Sequence, residues 1–73
     1  MYSKNYADES FITNCLKQFK RIYPEFRSRV IGISQDKLYC IIECDFPDGT
    51  FYFRVDERTI SSSYDTKEEA DKG

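Results

Sequence analysis

Between Lys37 and Val55 the chain alternates side chains of two kinds on either side of Pro47-Asp48-Gly49. Leu38 to Phe46 and Phe51 to Val55 are rich in β-branched and aromatic residues, and the intervening tripeptide is a turn signal. The pair reads as a hairpin, and a slip of one residue in its register would turn every side chain over. A three-residue loop would pair Phe46 with Thr50 and put Tyr52 and Arg54 on the same face as Cys40 and Ile42. Pairing Phe46 with Phe51 groups Leu38, Cys40, Ile42, Cys44 and Phe46 with Phe51, Phe53 and Val55 instead. Burying Phe51 and Phe53 is worth roughly 1.5–3 kcal/mol each, which outweighs a turn preference. The expected register therefore sets Phe46 opposite Phe51, Glu43 opposite Arg54 and Asp45 opposite Tyr52. The outer row is then Tyr39, Ile41, Glu43, Asp45, Tyr52 and Arg54.

Upstream, Phe11, Ile12, Cys15, Leu16, Phe19, Ile22 and Tyr23 fall on one stripe of a helix over 8–22. Asp8 is the expected N-cap, residues 1–6 a loosely held leader, and Pro24 the stop. Strands are expected at 27–33, 38–46 and 51–55, with Ile33 paired to Leu38 across the turn Ser34-Gln35-Asp36-Lys37. Such short connections require antiparallel neighbours in the order first, second, third. Thr59 to Ser63 is compatible with an edge strand or a loop. Thr66-Lys67-Glu68-Glu69 is a capping-box pattern opening a short helix over 66–72. The expected class is α+β, in one domain over 1–73: a helix on a three-stranded antiparallel meander, then a short C-terminal helix.

A chain of 73 residues buries only about 60% of the surface it exposes when unfolded, so every buried aromatic counts. Six Phe and six Tyr supply that area. The apolar runs fall far short of the ~20 residues a membrane helix needs, and the first residues lack a signal-peptide core. Three cysteines is an odd number for a disulfide framework. Cys40 and Cys44 would lie roughly 13 Å apart along one strand, too far to bridge. Free buried thiols and a cytoplasmic location are the expectation.

Catalytic chemistry finds little to work with. Cys15, Cys40 and Cys44 without any His make a poor zinc set and a poor thiol-enzyme site. Glu43 and Asp45 share the outer face, where a solvated sheet surface leaves both carboxylates ordinary. No enzyme activity, cofactor or metal is expected.

Two binding readings remain. Tyr39, Ile41, Glu43, Asp45, Tyr52 and Arg54 combine tyrosine with mixed charge, a composition found in protein-binding patches. They suggest a small non-enzymatic protein-binding module, of the kind used as regulators or inhibitors, phage-encoded ones included. The alternative is a nucleic-acid-binding domain using Lys17, Lys20, Arg21, Arg27 and Arg29, five cations in a thirteen-residue span. Charge is also uneven along the chain. Residues 1–42 carry seven Lys/Arg against four Asp/Glu, a balance of +3, and residues 43–73 four against nine, a balance of −5. An exposed edge at the third strand or at 59–63 suggests a homodimer as a further possibility.

Overall fold

A computed structural model describes residues 2–34 and 38–72, with side chains from Glu9 onward. Met1, Gly73 and Gln35, Asp36 and Lys37, where a turn is expected, lie outside the described residues, as does the side chain of Asp8. The order is α1 (Tyr2–Ile22), β1 (Arg27–Ile33), β2 (Cys40–Phe46), β3 (Gly49–Val55) and α2 (Lys67–Lys72). This is the expected α+β layout, with one antiparallel sheet in the order β1-β2-β3.

α1 ends where Pro24 requires, its last turn closed by Tyr23 N–H donating to the Phe19 carbonyl at 3.0 Å. Its start differs from expectation. The helix begins at Tyr2 rather than Asp8, so Asp8 is interior and residues 2–6 are not a separate leader. No Gly or Pro interrupts Tyr2 to Ala7, and each residue added to an existing helix contributes a hydrogen bond at little further cost. Cys15 and Phe19 are fully buried against the sheet, while Ile22, at the helix end, is 56% exposed and leaves the expected stripe.

The hairpin keeps its expected faces but not its expected pairs. Phe46 pairs with Gly49, Cys44 with Phe51, Ile42 with Phe53 and Cys40 with Val55. That is two residues away from the expected Phe46–Phe51 register, which preserves the parity and so the inner row. Pro47 and Asp48 alone form the loop. Proline pre-sets the first loop position, and Gly49 takes φ +142°, a conformation that L side chains rarely adopt. The tighter loop adds rungs at Asp45–Thr50 and Phe46–Gly49.

The β1–β2 register also differs from expectation: Ile33 pairs with Cys40, not Leu38. The ladder is closed beyond this pair by Ser34 N–H donating to the Tyr39 carbonyl, and Ser34 Oγ accepts the Leu38 and Tyr39 N–H groups at 3.0 and 3.2 Å. Leu38 therefore lies outside the strand and is 66% exposed instead of belonging to the core. A bulge between Val30 and Gly32 inserts one residue. Without it Val30 and Ile33 would face opposite sides; with it both pack against the core.

That core joins Cys15 and Phe19 of α1 to Cys40, Ile42, Cys44, Phe53 and Val55. α1 crosses this inner face and touches all three strands. The opposite face carries a second layer: α2 packs on β2 and β3, and Ala70 and Ile41 are buried there at 0% and 3% exposure. The molecule is helix, sheet, helix.

Candidate functional site

The six outer-row residues do share one face, but the chain's own C-terminus occupies much of it. Thr66 caps α2, its Oγ1 accepting the Glu69 N–H at 3.1 Å. At the other end of α2, Arg54 Nη1 donates to the carbonyls of Asp71 and Ala70 at 3.0 and 3.4 Å. These are helix-end carbonyls with no partner inside the helix, and a cation there also meets the negative end of the helix dipole. The same guanidinium lies 3.6 Å from the centre of the Tyr39 ring. Tyr39 in turn donates its hydroxyl to Asp71, to both the carbonyl and the carboxylate, at 3.0 Å each. Tyr39, Ile41 and Arg54 are thus the seat of α2.

Glu43, Asp45 and Tyr52 occupy the rest of this face and are paired within the sheet. Tyr52 OH donates to Glu43 Oε2 at 3.1 Å and Thr50 Oγ1 to Asp45 Oδ1 at 2.9 Å. Both bonds follow from the observed register, which sets Tyr52 opposite Glu43 and Thr50 opposite Asp45. The phenol of Tyr52 is pushed up, chiefly by that bond to the Glu43 carboxylate and then by burial and the carboxylate's charge. The expected Glu43–Arg54 pair is absent; Arg29 of β1 takes its place as the ion-pair partner of Glu43.

The five cations of the nucleic-acid reading are not brought together. Lys17, Lys20 and Arg21 are exposed on α1, which lies across the inner face. Arg27 and Arg29 pair with Asp45 and Glu43 and so belong to the outer face, the face of the sheet opposite the one that α1 crosses. Around Lys17 and Arg21 the surface also holds Glu57, whose carboxylate accepts from Asn14 Nδ2 at 2.6 Å.

The three thiols are fully buried and unpaired. Burial pushes each of them up, most strongly Cys40, where a hydrogen bond with Cys15 adds to the effect. Cys15 also donates to the Val55 carbonyl at 3.6 Å. Among the described residues no group of three or more His, Cys, Asp or Glu is placed to hold a metal ion.

The surface that sequence reasoning missed is the open end of the inner face. Phe46 keeps its expected place in the inner row, packed half-buried against the core beside the turn, at the centre of an aromatic cluster. Its ring centre lies 4.7 Å from Phe26, 5.5 Å from Tyr23 and 5.9 Å from both Phe51 and Phe53. A groove of about 470 Å3 opens here, lined by Tyr23, Phe46, Pro47, Phe51 and Phe53 with Asp48 and two serines of 62–63.

No protein-family model, no curated protein and no solved structure matches this chain. Among the described residues no helix is long and apolar enough to cross a membrane.

Proposed function

We propose that this chain is a small, non-enzymatic protein-binding module whose contact surface is the aromatic end of the sheet. The carrying observation is the half-buried cluster of Tyr23, Phe46 and Phe51 lining an open groove of about 470 Å3, with Phe26 packed on Phe46. Aromatic side chains are enriched at protein interfaces, and those seated in well-packed pockets supply much of the binding energy. Ile22, 56% exposed and next to Tyr23 in the chain, is a further exposed apolar side chain at the same end of α1. Acting by occupying a partner's surface is how small regulators and inhibitors work, and that is the class proposed. A cytoplasm-like compartment is part of the same proposal, supported by three unpaired thiols.

The outer-row residues enter this reading differently than their composition suggests. Tyr39, Ile41 and Arg54 are engaged with α2, and this moves the proposed contact from the outer face to the tip.

The test is affinity capture with the intact chain against an Ile22→Glu/Phe51→Ser variant, each first checked for native circular dichroism. Partners retained by the native chain should fall at least about tenfold on the variant, the loss of roughly one hot-spot residue. An identical partner set on both would count against the tip as the contact surface.

A further inference from the structure

The two edges of the sheet are treated differently. Outside β3 the chain returns upon itself: Tyr52 and Tyr64 exchange backbone hydrogen bonds at 2.9 and 2.8 Å, and Val55 bridges to Ile60. Ser61 completes the cover, its N–H donating to the Arg54 carbonyl and its Oγ accepting the Arg54 N–H, both at 3.0 Å. Among the described residues the other edge has no such cover. β1 pairs with β2 on one side and, among the described residues, with no strand on the other. Its first half, Arg27 to Val30, runs in regular register up to the bulge. Arg27 and Arg29 therefore stand on the outer face, and Ser28 and Val30 on the inner. Arg27 is exposed, and Arg29 keeps 55% of its side chain exposed despite its ion pair with Glu43. On α1, Asn14 and Gln18 are tied to Glu57 and to the Arg58 carbonyl on the β3 side. At 3.6 residues per turn, the opposite flank of that helix, with Leu16 and Lys20, turns toward β1.

We propose that the β1 edge accepts an extended segment of a partner protein as an added strand, one in which acidic and apolar residues alternate. The proposal rests on the reading of the chain as a protein-binding module and adds the chemistry of its partner. Carboxylates on the outer face of such a strand would lie one strand spacing, ~4.8 Å, from Arg27 and Arg29, while Glu43 and Asp45 are two spacings away. The alternate apolar residues would extend the inner row beyond Val30. Backbone bonds supply affinity in this mode, and the alternating side chains supply the specificity. A second copy of β1 suits the edge less well, because it would bring the same two arginines.

The probe is an end-blocked peptide of alternating Glu and Val, about eight residues long, the length of an ordinary strand. It is titrated into the full chain, with amide hydrogen exchange as the readout. Bound peptide should slow exchange across 27–30 at least about tenfold and leave the β3 amides unchanged. A Lys–Val peptide should not bind, and Arg27→Glu, which leaves the Arg29–Glu43 pair in place, should weaken the Glu–Val peptide about tenfold, or roughly 1.4 kcal/mol. Equal binding of the two peptides, protection elsewhere than β1, or a dimer on light scattering that the peptide fails to dissociate would overturn strand addition. If the peptide fails while capture still depends on Ile22 and Phe51, strand addition alone is lost. If the peptide binds and capture ignores those residues, the tip reading alone is lost.

Discussion

Arg54 changes partner between the sequence pattern and the folded chain, and the change has a physical cause. Cross-strand logic pairs it with Glu43, but the tighter hairpin sets it opposite Ile41, which offers no charge. Its guanidinium instead stacks on Tyr39 and donates to the end of α2. The cysteines show a second consequence at this scale. Because burial raises all three above their ordinary value of 9.0, the folded chain holds its thiol protons where the unfolded chain has begun to release them. Their contribution to stability is complete below pH 9.0 and is lost as pH rises above it. The denaturation midpoint is expected to fall between about pH 8 and about pH 10, and to fall less in Cys40→Ala. Equal pH dependence in the two chains would contradict this account. The free state of these thiols was legible from their number and spacing. The Cys15–Cys40 contact was not, because it joins a helix to a strand 25 positions later.

α2 is the element whose importance depends most on tertiary contacts. A helix of six residues is marginal alone. Here it is held by the Thr66 cap, the buried Ala70 and the Arg54 donor. Ala70→Glu would force a carboxylate into a site with no space open to water. The expected result is undocking of α2 at a cost of about 1–3 kcal/mol, while the core beneath α1 stays intact. Denaturant titration measures the cost, and faster exchange of the Glu69 amide, which Thr66 caps, reports the loosened helix. A cooperative loss of the whole fold would show instead that the two layers are one unit. Element identities were readable throughout: β1 occupies 27–33 as expected, and the stop of α1 before Pro24 needed no more than local sterics. Strand ends were harder. Leu38 continues the apolar alternation, yet the bulge and the Ser34–Tyr39 closure leave it outside β2.

At the scale of the whole molecule, the sheet separates residues that the sequence places side by side. Lys17, Lys20 and Arg21 lie on α1 over the inner face, and Arg27 and Arg29 on the outer face. A duplex would need to reach Lys17 and Arg21 over the inner face and Arg27 and Arg29 on the outer face at once. Tight binding to duplex nucleic acid is therefore not expected, even at about 50 mM salt, where phosphate contacts are strong. Micromolar retention on a filter with a steep salt dependence would restore that reading. The charge halves are likewise not two faces, since Arg29 from the basic half is ion-paired with Glu43 from the acidic half.

The period-two alternation of Cys40 to Val55, together with the gain from burying Phe51 and Phe53, determined which side chains of the hairpin share a face, because a pleated strand allows only two. The stripe from Phe11 to Phe19, the proline after Tyr23 and the Thr66 cap likewise act through their nearest neighbours in the chain. Tertiary structure decided the rest. It selected the pairing within the allowed parity, since Gly49 could close the tighter loop. It laid α2 over the outer row and left Phe46 and the β1 edge open. Coverage of this kind depends on where the chain returns after the sheet is built, and no local pattern along a strand records that.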